Sequence, residues 1–191
     1  MPSRAPPSVQ LLVIGDCGTG KSALIETFVT EIFPEHYYPN AYNTWSHHME
    51  LEGRQLNLSI WDPGSTLRPE LRALSYYDKH VVLFCYDSSK EQSLVNVIEK
   101  WMPEVFHYLP DTPWLLVSCK NDLCADPDRA DRRDDRLTPP MAFQSVASHA
   151  ALACSAKNAQ GVRDVFEVAA RLGLEHAKLH GHSGRQSCCV Q

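Results

Sequence analysis

Residues 15 to 22 read Gly-Asp-Cys-Gly-Thr-Gly-Lys-Ser, a Gly-x-x-x-x-Gly-Lys-Ser phosphate loop placed directly after the apolar run Val9 to Ile14. Gly15 and Gly20 let the backbone curl, so that successive amides of Gly15, Asp16, Cys17, Gly18, Thr19, Gly20, Lys21, Ser22 and Ala23 face inward as an anion nest at the start of a helix. Lys21 then brings a point charge to the β and γ phosphates of a nucleotide. Ser22 offers its hydroxyl to Mg²⁺. A chance match in a glycine turn lacks the flanking context seen here, a strand before and the amphipathic SALIETFV after.

Further residues extend this chemistry. Asp62, in Trp61-Asp62-Pro63-Gly64, follows a buried run; a carboxylate there holds Mg²⁺, usually through water, and the Gly64 amide reaches the γ-phosphate. A bare Asp-Pro-Gly is also a turn signal. Cys119-Lys120-Asn121-Asp122 ends another apolar run, and Asp122 can accept from guanine N1–H and the exocyclic amine. Cys154-Ser155-Ala156-Lys157 adds backbone amides that can donate to the guanine O6. Cys17 stands where related loops have glycine, crowding the space an attacking water or arginine finger uses, or is simply a tolerated small residue.

The elements that position these groups are legible from apolar periodicity. VQLLVIG is predicted as a strand, Lys21 to Thr30 as a helix, WSHHMEL and LNLSIW as a hairpin turning at EGRQ, and VVLFCYD, WLLVSCK and the weaker ALACSAK as parallel strands. Helices are expected over 93–109, 140–149 and 162–174. Strand and helix alternate, which predicts a doubly wound α/β sheet with its ligand at the carboxyl ends of the strands. The charge-dense stretch 124–139 reads as a surface excursion or a docking insert, and the sequence after Leu179 as a flexible tail.

With 191 residues the chain suits one domain plus short tails. A net charge of −5 advertises no nucleic-acid surface. Seven cysteines without paired zinc spacing point to thiols in a reducing cytosol, and His47–His48 to a strand-edge feature rather than a metal site. The start MPSRAPPS lacks a signal-peptide pattern, and the longest apolar runs are too short to span a bilayer.

Taken in order, GDCGTGKS, FPEHYYPNAY, WDPGS, SYYDKHVVLFCYD, EKWMPEV, CKND and CSAK resemble a Ras-superfamily small GTPase of the Rho type, from about Val9 to Leu174 and again at the C-terminus. The CKND form, Cys17 and the serine after Gly64 are most similar to the atypical, hydrolysis-poor Rnd subgroup. The resemblance implies the P-loop small-GTPase fold, a six-stranded mostly parallel sheet with helices on both faces. It implies GTP or GDP with Mg²⁺ as ligands. A flexible N-terminus (1–8), a G domain (9–176) and a C-terminal tail (177–191) follow. Phe33 is expected to pack on the guanine ring, the stem of Lys120 to cover its other face, and Tyr37 to reach toward the phosphates.

The departures from the family pattern carry equal weight. Its Mg²⁺-binding switch threonine falls at Asn40, so the implied metal set is Ser22, Asn40 and Asp62. Its Asp-x-x-Gly has lost a residue in Asp62-Pro63-Gly64, its catalytic glutamine is replaced near Ser65, and its base-contacting asparagine is Cys119. No residue is therefore assigned to catalysis; Cys17 and Ser65 mark degenerate catalytic positions. GTP held rather than hydrolysed is the leading expectation, beside a slowly cycling switch and a scaffold that has lost nucleotide binding. Partners are expected to be Rho-type effectors or regulators, engaged by a monomer through switch loops 34–43 and 63–77, with output on the actin cytoskeleton.

The chain ends Cys188-Cys189-Val190-Gln191, a C-a-a-X pattern whose final Gln favours farnesylation of Cys188. With only Lys178 and Arg185 basic upstream, one lipid gives reversible membrane binding. The cytoplasmic face of membranes, the plasma membrane first, with a cytosolic pool, is the expected location.

Overall fold

A computed structural model of the chain describes residues 6–36, 42–124 and 151–180. Within them lie β1 (Ser8–Ile14), α1 (Lys21–Thr30), β2 (Tyr42–Leu51), β3 (Arg54–Pro63), α2 (Pro69–Ala73), β4 (Val81–Asp87) and α3 (Glu91–Asn96). A π-helical turn (Val97–Trp101), α4 (Met102–Tyr108), β5 (Trp114–Cys119), a 3₁₀ turn (Asn121–Cys124), β6 (Ala151–Ala153) and α5 (Val162–His180) complete them. The six strands form one sheet in the order β2-β3-β1-β4-β5-β6, with only the β2–β3 pair antiparallel. This is the P-loop small-GTPase arrangement the sequence led us to expect.

The central strands read as unbroken apolar runs because both faces of the sheet are covered. In β1, Val9, Leu11 and Val13 point to the face carrying α1 and α5, where they join Leu24, Ile25, Val165 and Phe166. Leu12 and Ile14 point the other way, into a second core with Phe84, Val97, Trp101 and Val105 under α3 and α4. All seven residues of β4 are buried, which fixes its register between β1 and β5.

The hairpin is longer and tighter than its apolar segments suggest. It closes on two residues, Glu52 and Gly53, both left-handed at φ 53° and 74°, the pattern of a turn that matches strand twist. Pairing then runs from Leu51↔Arg54 to Tyr42↔Pro63. As the edge strand, β2 carries His47 and His48. α5 continues to His180, past the boundary at 176 expected from sequence. The predicted helix 140–149 and most of the charged stretch 124–139 lie outside the described residues.

Candidate nucleotide-binding site

The phosphate loop joins β1 to α1 and passes against the end of β4. A Cβ on Gly15 would sit 2.1 Å from the Cys85 carbonyl oxygen, so this close approach demands glycine. α1 begins at Lys21 with Gly20 as its cap. The Lys21 ammonium donates to the Asp16 carbonyl at 2.6 Å, and the Thr19 hydroxyl to the same oxygen at 3.0 Å. Lys21 is buried, so its charge is focused inside the curl of the loop, where a polyphosphate needs it.

At the end of β3, Asp62 accepts from the Ser22 hydroxyl at 2.6 Å. Burial pushes the Asp62 carboxyl above its ordinary range, opposed by the Ser22 hydrogen bond and the Lys21 charge. A buried carboxylate with so little compensation suits a hard divalent cation, and hydroxyl plus carboxylate oxygen is a donor set that fits Mg²⁺. These are two of the three residues expected at the metal. The third, Asn40, and Tyr37 lie outside the described residues.

Beyond Asp62, Gly64 opens a turn in which its carbonyl accepts from Leu67 N–H at 2.9 Å. Pro63 is drawn into the hairpin ladder opposite Tyr42. Ser65 and Thr66 sit in the turn itself, and Cys17 is exposed on the phosphate loop.

The base side is a cavity of about 210 Å³ lined by Phe33, Cys119, Lys120, Asp122, Ala156 and Lys157 among others. One Asp122 oxygen accepts from the fully buried Ser155 hydroxyl at 2.6 Å, which fixes the carboxylate's orientation. Thus the segments that follow β5 and β6 meet at one pocket. Lys120 Nζ donates to the Gly18 carbonyl at 2.5 Å and to Asp87 at 2.8 Å. Its side chain therefore spans from the base pocket to the phosphate loop. Asp87, at the end of β4, has its carboxyl pushed up by burial but brought below the ordinary range by Lys120 and Ser89. Cys119 is buried and faces the cavity.

Asp16 departs from the expected picture in one respect. Only its main chain belongs to the cradle; its carboxylate accepts from Asn96 Nδ2 at 2.6 Å and Trp101 Nε1 at 2.9 Å. The π-helical turn makes this possible. Residues five apart on an α-helix are rotated by about 140° and cannot serve one partner. A turn closed by i→i+5 bonds stacks them. Asn96, Trp101 and Asp87 were missed in the sequence reading; the only signal was the Asp ending the apolar run VVLFCYD. Trp101 also lies under the Arg72 guanidinium at 4.8 Å, linking this latch to α2.

A phosphate loop, a metal-side carboxylate and a guanine-side carboxylate at the carboxyl edge of a six-stranded doubly wound sheet define a guanine-nucleotide-binding domain of the small-GTPase class. The sequence matches the Ras family over residues 10–174, and the chain belongs to that family. It is 38% identical over 173 residues to GTP-binding protein rho5 of Schizosaccharomyces pombe, covering 86% of each chain. It is 36% identical over 173 residues to GTP-binding protein RHO1 of Candida albicans, covering 86% of this chain and 87% of that one. Over 192 residues it is 36% identical to the human Rho-related GTP-binding protein RhoB, covering 94% and 95%. These relatives make it a Rho-like small GTPase, and membership implies guanine-nucleotide binding, usually with Mg²⁺.

Proposed function

We propose that this Rho-like protein is an Rnd-type signalling module that holds GTP with little or no hydrolysis and acts by presenting its switch segments to effectors and regulators. The observation that supports the reading is the contrast between retained charge partners for the nucleotide and an altered hydrolytic side. Lys21 sits in the curl of the phosphate loop, Ser22 donates to Asp62 and Ser155 to Asp122, which supports retention of the ligand's partners. Ser65 stands where a water-orienting glutamine belongs, behind a proline held in the β3 ladder.

Ser22 and Asp62 would hold Mg²⁺, which when bound neutralises charge on the β and γ oxygens. Lys21 binds the same oxygens from the loop, Asp122 selects guanine, and Lys120 keeps base pocket and phosphate loop in register. Phosphoryl transfer draws its rate almost wholly from positioning and electrostatics. A chain that keeps the ligand's charge partners but has a short hydroxyl in place of the water-orienting amide therefore binds well and turns over poorly.

Farnesylation of Cys188 would tether the module to the cytoplasmic face of membranes, with the plasma membrane the first expectation. The cytoskeletal output enters through the Rho and Rnd resemblance. Denaturing freshly purified protein and identifying the released nucleotide by ion-exchange chromatography tests the proposal. GTP near one equivalent supports it; GDP, or no nucleotide, overturns it.

A further inference from the structure

The carboxyl edge of the sheet gathers three thiols that nucleotide binding does not require. Cys85 on β4, Cys119 ending β5 and Cys154 just after β6 are all buried and none is in a disulfide. The Cys119 thiol donates to the Val117 carbonyl at 4.0 Å and stands close enough to both of the others to shift with them. Cys119 and Cys154 line the base cavity; Cys85 does not.

Strand register decides which pair can bond. Ser118 lies opposite Ala153 in the parallel β5–β6 ladder, and Cys154 N–H donates to the Ser118 carbonyl at 2.8 Å. The next residues, Cys119 and Cys154, are therefore cross-strand neighbours. Adjacent strands run about 4.7–4.9 Å apart, inside the roughly 4.4–6.8 Å between Cα atoms that a disulfide spans. Cys85 instead lies opposite Val117, two residues from the partner of Cys119, a diagonal of about 7–8 Å that a disulfide does not reach.

We propose that Cys119 and Cys154 form a peroxide-oxidisable dithiol in the wall of the base pocket, and that the disulfide between them excludes guanine nucleotide. The proposal rests on guanine binding in this pocket. The roles of the two sulfurs differ. Hydrogen bonds from Cys154 and Cys85, with the nearby Lys21 and Lys120 charges, hold the Cys119 thiol well below its usual range, while Cys119 pushes Cys154 up. Cys119, which lines the cavity beside the Lys120 stem and against Gly20 of the phosphate loop, is assigned as the nucleophile and Cys154 as the resolving thiol.

The Cys119 thiolate attacks one oxygen of hydrogen peroxide, the O–O bond breaks, and a sulfenic acid and hydroxide form. The Cys154 sulfur then attacks the Cys119 sulfur, the S–O bond breaks, and a second hydroxide leaves. The two thiol protons end on these hydroxides, so two thiols and one peroxide give one disulfide and two waters. Bond formation draws segment 119–122 toward segment 154–157 and narrows the cavity between Asp122 and Ala156. A bound base covers both sulfurs, so nucleotide and oxidation compete.

The test uses the full chain, either stripped of nucleotide with EDTA or loaded with GDP and Mg²⁺, and treated with hydrogen peroxide. Disulfides are mapped by alkylation and peptide mass, and rebinding of a fluorescent guanine nucleotide is measured before and after dithiothreitol. The expected result is a Cys119–Cys154 link in the stripped protein, about 2 Da lighter than the reduced form. Rebinding is lost and then restored on reduction, and the loaded protein is protected. Cys85→Ser keeps the link, whereas Cys154→Ser stops at a sulfenic acid on Cys119 that dimedone traps. A link involving another cysteine, equal oxidation with and without nucleotide, or a link that leaves rebinding intact overturns the proposal. Reduced protein that takes up no guanine nucleotide at all removes the reading on which the proposal rests, while peptide mapping still decides whether the dithiol closes.

Discussion

Arg72 grips Glu104 with two prongs: Nε donates to Oε1 and Nη2 to Oε2, both at 2.8 Å. Tyr76 adds its hydroxyl to Oε1 at 2.5 Å, and Arg72 Nη1 reaches the Leu67 carbonyl at 2.6 Å. This ties the segment around α2 to α4 through an arginine that is 2% exposed. Removing one partner of a buried, bidentate ion pair leaves an uncompensated charge. Arg72→Ala is expected to cost about 3–5 kcal/mol in urea unfolding. Burial pushes the Glu104 carboxyl up, but Arg72 and Tyr76 bring it below its ordinary 4.5. A depressed folded value means stability that is present above the ordinary value and lost as pH falls through the folded one. Glu104→Gln should flatten that acid limb.

Ser155 serves Asp122 alone on the base side. Ser155→Ala leaves the Asp122 carboxylate without its hydroxyl donor, a hydrogen bond to a charged group worth about 1.5–3 kcal/mol. Dissociation of a fluorescent GDP analogue should accelerate by roughly 10- to 100-fold. An unchanged rate would mean that Asp122 is oriented by other contacts.

Lys79 is 5% exposed, donates to the Tyr77 carbonyl at 2.7 Å and lies 4.0 Å from the centre of the Trp61 ring. Burial pushes it down to about 8 from its ordinary 10.5. Between those values the unfolded chain binds more protons than the folded one, so stability rises with pH across that window. Below about 8 the cost of burying the charge is fully present. Urea midpoints from pH 7 to 10 should climb in the wild type relative to Lys79→Met.

The proposed loss of hydrolysis is open to test by repair. Cys17→Gly combined with Ser65→Gln restores the small residue and the water-orienting amide of the family pattern. Single-turnover release of phosphate should rise. No change would place the defect in the shortened Asp62-Pro63-Gly64 segment and its pairing with β2 rather than in the two side chains.

Cys188 lies outside the described residues and is tested in cells. Cys188→Ser should move the protein from membrane to cytosol on fractionation. Retention on membranes would overturn the farnesyl anchor.

The strands were legible because β1, β4 and β5 are covered on both faces and so read as continuous apolar runs. The phosphate loop, Asp62 and Asp122 stood out because the loop follows β1, Asp62 lies in the last residues of β3 and Asp122 lies in the turn after β5, where an apolar run gives way to polar residues. What stayed hidden depends on register. Whether Asp16 faces phosphate or helix, whether Lys120 reaches Asp87, and which cysteines adjoin are set by how separate segments align, and no local pattern encodes that. The hairpin's extra pairing was hidden for another reason: Asp62 and Pro63 are poor strand formers, carried into the ladder by their neighbours. α5 exceeded its expected end because a long amphipathic helix can extend into polar sequence once its core face is anchored.

The π-helical turn has an optical consequence. It brings the Trp101 indole N–H onto the Asp16 carboxylate while the Arg72 guanidinium covers the ring. A buried indole with a carboxylate at its edge and two cations, Arg72 and Lys100, over its ring has an emission set by all three charges. Withdrawal of any one changes the field across the chromophore. The protein thus carries its own fluorophore at the junction of phosphate loop and α2, and a displacement of Asp16 or Arg72 on loading is expected to shift Trp101 emission in unlabelled protein, with the other three tryptophans replaced by phenylalanine to isolate the signal.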